Sequence, residues 1–277
     1  MEDITNQSKG LKRNTIDKFY TNIGIVEKCI NLIKIHINIS TDDIIIEPSA
    51  GNGAFIQLIK TISNNYKFYD LEPENDEIIQ QDFLELDYKI LQKKHKKIHI
   101  IGNPPFGRQS SLAIKFIKKS CEFCNSISFI LPKSFKKESM KSKFPMNFHL
   151  VHEWDLPDKS FLVNGVEYTV PCVFQIWEKK TECRIKTEKV EPIHFRFVKK
   201  TGNPHISFRR VGVNAGVISR DIEIKSEQSH YFIIFTNNNS IDENIEKLKN
   251  ISFEKDNTVG ARSISIQELT IEFNKYL

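Results

Sequence analysis

The chain has 277 residues, 39% hydrophobic and 27% charged, with a formal net charge of +5. This is the composition of a soluble globular protein with material for one large domain or two modest ones, and the charge permits a polyanionic partner without demanding one. No apolar run approaches the roughly 18 residues of a membrane span.

The first 17 residues are polar and are expected to be loose. They begin Met1-Glu2-Asp3-Ile4-Thr5, without the apolar stretch of a secretory signal. Five cysteines, an odd number, point to reduced thiols. An intracellular protein with no membrane segment is therefore expected.

Ile25, Val26, Cys29, Ile30, Ile33 and Ile37 have helical apolar spacing, with Thr21 or Asn22 placed to cap. A first strand is expected over 43–48, then a helix over 53–62. Tyr66 to Tyr69 reads as a second strand ending at Asp70-Leu71-Glu72-Pro73. A short strand at Ile78-Ile79 leads to Gln81-Asp82-Phe83 and a helix over 84–94. Ile98 to Gly102 reads as a buried strand, and Ser110-Ser111 caps a helix through Leu112, Ala113, Phe116 and Ile117. Further strands are expected at Ser126 to Leu131, Phe148 to Trp154 and Pro171 to Trp177, with a basic loop over 133–147. The alternation predicts an α/β fold with a doubly wound, mostly parallel sheet whose last strand is antiparallel.

Past Lys179-Lys180 the pattern turns strand-like, at 194–198, 206–208 and 231–235, with one helix over 241–249. We divide the chain into 1–180, a catalytic domain, and 181–277, a small α+β region.

Two motifs stand at strand ends. Glu47-Pro48-Ser49-Ala50-Gly51-Asn52-Gly53 links a strand to a helix, as a nucleotide-type loop does. Asn103-Pro104-Pro105-Phe106 ends the strand Ile98–Gly102. Its prolines fix the backbone and remove two donors, leaving amide and carbonyl acceptors beside an aromatic face. That set suits a planar amino group. Cys121-x-x-Cys124 has metal-like spacing without a second pair, so a packed thiol pair and no metal are expected. His149 and His152 lack partners of ligand type and spacing, and no Ser–His–Asp arrangement is apparent from the sequence.

With these motifs in this order, the chain resembles the S-adenosyl-L-methionine-dependent (AdoMet-dependent) amino-methyltransferases of the nucleic-acid adenine-N6 type. The order is that of the gamma group of DNA methyltransferases. The resemblance covers about 15–180. It is weaker in the tail, where Arg209 to Gly216 and Gly260 to Ser265 resemble segments of phage and bacterial adenine methylases. It departs at Glu47, where many relatives have Asp, and at Phe106, where many have Tyr.

The resemblance implies a Rossmann-like methyltransferase fold and AdoMet as cofactor. Phe19, Tyr20 and Thr21 would cover the cofactor, and Glu47, Gly51, Asn52 and Gly53 would hold its methionine side. Asp70, with Glu72 as rival, would take the ribose hydroxyls, while Asp82 and Phe83 would read its adenine. Asn103 and Pro104 would accept the two hydrogens of the target amine, with Pro105 fixing the turn and Phe106 stacking on the base. Phe161 is the candidate for the opposite face, a core aromatic being the equal alternative. Lys133, Lys136, Lys137, Arg209 and Arg210 are candidate phosphate contacts. The expected partner is nucleic acid, DNA ahead of RNA. Guanine-N2 or protein glutamine-N5 methylation, or a silent binding subunit of the same fold, remain as alternatives.

Overall fold

The computed structural model describes residues 19–186, 188–253 and 262–277. The expected loose N-terminus and the Gly260-Ala261 pair lie outside these residues. The described residues form two compact units that meet in sequence at 186/187. No helix among them is long and apolar enough to cross a membrane.

The first unit begins with β1 (Tyr20–Thr21) and α1 (Ile23–His36). Asn22 caps α1, its side chain accepting from the Gly24 amide at 3.1 Å. β2 (Ile44–Glu47) leads through the glycine loop to a single-turn α2 (Ile56–Ile59). The expected helix over 53–62 is this short because residues 51–55 form turns, with Gly51 at φ +55° and Gly53 at φ +85°. Next come β3 (Tyr66–Asp70), β4 (Ile79–Gln80) and α3 (Lys89–Lys94). A 3-10 turn over Phe83–Glu85, capped by Asp82, replaces the first part of the helix expected over 84–94. The unit continues with β5 (Ile98–Gly102), α4 (Ser111–Phe123), β6 (Ser126–Pro132), α5 (Glu138–Lys141) and β7 (Phe148–Asp155). It closes with β8 (Phe161–Val163), β9 (Val166–Tyr168) and β10 (Cys172–Lys179).

Seven of these strands form one sheet in the order β4-β3-β2-β5-β6-β10-β7. Neighbours from β4 to β6 are parallel, while β10 runs antiparallel to both β6 and β7. The doubly wound sheet with an antiparallel strand is thus present. Strands β2, β5 and β6 are buried throughout, which explains their continuous apolar runs. The chain winds outward from β2 to β4, then returns to lay β5 on the other side of β2. Ligands bind at such a reversal, outside the carboxyl ends of the strands. Those ends are Glu47 and Gly102-Asn103.

The opposite edge carries a buried polar knot. His99 Nδ1 lies 2.7 Å from Ser126 Oγ, and His99 Nε2 lies 3.3 Å from Asp43 Oδ2. This has the composition of a hydrolytic triad. All three residues are 1–2% exposed, however, so no substrate meets them, and the knot ties together the starts of β2, β5 and β6. Cys121 and Cys124 are buried as a thiol pair in the core between α4 and the sheet.

A second sheet, β1-β8-β9, joins the N-terminal strand to a hairpin. Its turn is Asn164-Gly165, both at positive φ, the geometry that matches strand twist in tight hairpins.

The second unit has β11 (Phe195–Val198), β12 (Ile206–Arg209), β13 (Ile218–Ser219) and β14 (His230–Phe235), ordered β11-β14-β12-β13 and all antiparallel. α6 (Ile241–Leu248) and α7 (Ile266–Tyr276) each start with a reciprocal capping box, Ser240 with Glu243 and Ser265 with Glu268. Leu269 and Phe273 of α7 pack with Phe208 and Ile233 in a separate core.

Candidate active site

Pairing of β2 with β5 puts the two motifs side by side: Ile46 faces Ile100, so Glu47-Pro48 runs beside Ile101-Gly102. A Cβ on Gly102 would sit 3.2 Å from Glu47 Cγ, so glycine here leaves room for the Glu47 side chain. Glu47 is 1% exposed and its Oε2 has no hydrogen-bond partner. Burial, reinforced by the nearby Asp70, pushes its carboxyl well above the usual range. A cation beside this oxygen would favour its ionised form and offset the burial.

Asn103 is oriented by β1. Its Nδ2 donates long hydrogen bonds to the Phe19 carbonyl (3.4 Å) and to Thr21 Oγ1 (3.3 Å). A carbonyl can only accept, so the amide nitrogen must face it. Oδ1 then points the other way, and it is buried without a partner. Such an acceptor costs about 1–3 kcal/mol until a donor arrives. Among the described residues nothing donates to the Pro104 carbonyl either. Pro104 is buried, Pro105 exposed, and Phe106 half-buried against the core edge. The Phe106 carbonyl accepts from the Leu112 and Ala113 amides, which fixes the tetrapeptide to the start of α4.

Tyr20 lies on the glycine loop, its ring 3.6 Å from where a Gly51 Cβ would be, and its hydroxyl donates to Glu74 at 2.7 Å. Thr21 is buried. Asn52 is exposed at the loop tip. Asp70 braces this loop: Oδ2 accepts from the Gly51 amide (2.7 Å) and Oδ1 from the Glu72 amide (2.9 Å). Each oxygen retains a second lone pair. Glu72 is exposed two residues further on. Asp82 accepts from the Leu84 amide at 2.8 Å.

Several expected contacts are corrected. Phe83 does not offer a ring to a ligand. It is 1% exposed and stacks on Phe116 at 5.4 Å between centroids. Phe161 is equally buried and packs edge-on against Phe19, so it holds β1 in place and has the core role. Lys133 and Lys136 are not free for phosphate: both pair with Asp155, at 3.4 and 2.9 Å. Lys137 is half-buried at the start of α5. In the second unit, Arg210 donates to the Gln228 carbonyl at 2.8 Å and lies over the Tyr231 ring. Arg209 donates to the Val211 carbonyl at 3.2 Å.

Tyr168 on β9 was missed by sequence reasoning. It is 41% exposed and its ring packs on Phe19 at 5.7 Å, the residue whose carbonyl holds Asn103. The Asn164-Gly165 dipeptide was the signal for its hairpin.

The strand order and the paired acceptors at the reversal define a methyltransferase-type α/β protein. A sequence model of the EDM2 methyltransferase-like domain matches residues 38–184, more than half of the chain. The chain belongs to that family. Similar curated proteins include ribosomal RNA small subunit methyltransferase A of Francisella tularensis subsp. novicida (strain U112), 29% identical over 134 residues. The protein of that name in F. tularensis subsp. tularensis (strain WY96-3418) is 28% identical over the same length. The match covers 43% of this chain and 48% of each of these proteins, so the chain spans about half of their length. Among solved structures, a Pyrococcus horikoshii protein assigned as an RNA methyltransferase aligns with 13% identity and a TM-score of 0.47, over 62% of this chain and 92% of that one. The 23S rRNA methyltransferase ErmE aligns with 12% identity and a TM-score of 0.44, over 61% and 73%.

Proposed function

We propose that the protein transfers a methyl group from AdoMet to the N6 amine of adenine in a nucleic acid. The observation that carries this reading is Asn103: a buried amide oxygen without a partner, fixed by two bonds from its own nitrogen, at the strand end where the sheet order reverses.

The residues present fit the cofactor. Glu47 Oε2 is buried without a partner, and an ammonium group there would favour the ionised carboxylate against the burial that now raises its pKa. The Gly51–Gly53 loop allows close backbone approach, and Asp70 with Glu72 offers acceptors for a vicinal diol. Asp82 would accept from the cofactor adenine. Bound there, AdoMet supplies an electrophilic methyl on a sulfonium. An exocyclic adenine amine is a poor nucleophile, because its lone pair is conjugated into the ring. Asn103 Oδ1 and the Pro104 carbonyl accept its two hydrogens and favour a pyramidal nitrogen with an available lone pair. These acceptors strengthen as positive charge grows on nitrogen, so they act most in the transition state. Phe106 stacks on the base, with Tyr168 in place of Phe161 as the second aromatic. A base in a duplex must be flipped to reach this site. In this reading 1–180 is the catalytic domain and 181–277 the recognition domain.

The curated relatives are named for ribosomal RNA, which puts RNA ahead of the DNA expected from motif order. The test is incubation with methyl-labelled AdoMet and RNA, single-stranded DNA or duplex DNA, followed by nucleoside mass spectrometry. Labelled N6-methyladenine nucleoside supports the reading and names the polymer. Label in N2-methylguanine or in protein glutamine, or bound AdoMet with no transfer, refutes it. Asn103→Ala is expected to slow transfer about 10²–10³-fold while AdoMet still binds.

A further inference from the structure

The pleat of the small sheet sorts its side chains. Ile206, Phe208 and Ile233 face the core, so Ser207 and Arg209 on the same strand take the other face. Register then sets Ser219 opposite Ser207 and His230 opposite Arg209. These four residues, with Lys225 and Asn214, line a cavity of about 180 Å³.

Its wall is cationic. Arg209 uses Nε on the Val211 carbonyl, and among the described residues it meets no carboxylate. Lys225 has one acidic neighbour, Asp221 at 3.5 Å, whose side chain is 47% exposed. His230 Nδ1 lies 2.9 Å from Ser229 Oγ, which can donate or accept, and 3.2 Å from the Ser226 carbonyl, which can only accept; a proton on Nδ1 satisfies both contacts and leaves Nε2 with its lone pair. Burial, with the positive charges of Arg209 and Lys225, outweighs the Ser226 carbonyl and holds the His230 ring below its ordinary pKa of 6.5. Three nitrogen groups from β12, β14 and the intervening loop thus converge with too little negative charge among them. Ser219 Oγ accepts from the Asp221 amide at 3.1 Å, which leaves its own hydrogen to donate.

We propose that this cavity binds one phosphate group, gripped by Arg209, Lys225 and His230. The size decides between a phosphate and a whole nucleotide. The cavity holds several waters at about 30 Å³ each, yet falls short of the roughly 300 Å³ at which small-molecule pockets begin. The guanidinium fork fits two phosphate oxygens, and protonation of Nε2 adds a further donor. The phosphate is either one in a polynucleotide backbone or a free anion. The site extends the expected contact at Arg209 to Lys225 and His230, excludes Arg210, and stands whether or not the first unit transfers methyl groups.

The test is calorimetric titration of the full chain with inorganic phosphate. Arg209→Gln is expected to weaken binding at least about tenfold, the loss of a charged hydrogen-bond donor. Lys225→Gln, at a quarter-exposed loop position that leaves the melting temperature unchanged, should weaken it several-fold. Sulfate keeps its charge between mildly acidic and mildly basic solution. It should therefore bind more tightly as pH falls below 6.5, and His230→Gln should remove that dependence. Phosphate competition against an oligonucleotide that Lys225→Gln also weakens assigns the group to the polynucleotide. Phosphate binding that Lys225→Gln weakens with no change in oligonucleotide affinity assigns it to a free anion. Absence of phosphate binding by the wild-type chain, or binding that both Arg209→Gln and Lys225→Gln retain, overturns the proposal.

Discussion

Thr21→Val isolates the orienting role of β1. Valine keeps the shape and removes only the hydroxyl that accepts from Asn103 Nδ2 at 3.3 Å. The remaining bond, to the Phe19 carbonyl, is 3.4 Å long. Both are long, so each contributes at the low end of the usual range, about 0.5–1 kcal/mol. Loss of one should slow the methyl-transfer step by about two- to five-fold, at 1.36 kcal/mol per tenfold. Asn103→Ala removes the acceptor itself and should cost about 10²–10³-fold, the scale for one preorganised hydrogen-bonding group in a reacting site. The assay is single-turnover transfer at saturating AdoMet, with AdoMet affinity measured separately by calorimetry. Thr21→Val should leave that affinity unchanged. If AdoMet binding weakens while the transfer rate holds, Thr21 is a cofactor contact and the orienting argument fails. A Thr21→Val loss as large as that of Asn103→Ala would sink it equally.

The two aromatics of the hairpin should separate by assay. Tyr168→Ala is expected to raise KM for the nucleic acid about ten-fold, since stacking on a base is worth roughly 1–3 kcal/mol, with little change in melting temperature. Phe161→Ala should cost about 3–5 kcal/mol of stability; a stable Phe161→Ala with a raised KM would reverse the assignment. Gly107 has φ +68°, and a Cβ there would lie 2.8 Å from Leu112 Cγ, so Gly107→Ala should destabilise by about 1–3 kcal/mol in a denaturant melt. Finally, the His99 knot makes stability acid-sensitive. Burial holds His99 below its ordinary 6.5 despite Asp43, so the folded state binds fewer protons than the unfolded one, and this contribution is full above pH 6.5 and lost as pH falls. For Asp43, burial opposes ionisation, but the Ser40 amide and His99 outweigh it and keep the carboxyl below 3.8. Its contribution is lost only in stronger acid. Melting temperature should drop between neutral pH and pH about 5.5, and His99→Gln should flatten that slope; an unchanged slope would mean other groups carry it.

The parts of the fold that showed in the sequence were those with a single physical solution. A buried parallel strand must be apolar on both faces, so Ile44-Ile45-Ile46 and Ile98 to Ile101 were readable as β2 and β5. The glycine loop was readable as a loop, but its turns take residues up to 55 and leave α2 one turn long. α7 and the β8–β9 hairpin were missed although their local chemistry was visible: Ser265 with Glu268 as a capping box, and Asn164-Gly165 as a tight turn. The knot of Asp43, His99 and Ser126 had no sequence signal, because its members are spread over about eighty residues and meet only through strand register.

Within the site the division follows polarity. A polar residue at a strand end has few comfortable places: it is solvated, bonded or waiting for a partner. Glu47 and Asn103 are in the last state, and their positions gave them away. An aromatic residue near the same site has a competing destination, since burying a Phe side chain gains about 1.5–3 kcal/mol whatever ligand is near. Phe83 and Phe161 took that route and now support the site from behind. Tyr168 differs because all of β9 is exposed, and a phenol keeps its polar edge wet while its ring packs on Phe19. The same competition explains the lysines. Lys133 and Lys136 had been matched to phosphate, but Asp155 at the end of β7 lies within reach of both, and a nearby carboxylate neutralises a cation before any ligand does. Arg209 has no carboxylate beside it among the described residues, and its Nε donates to the Val211 carbonyl.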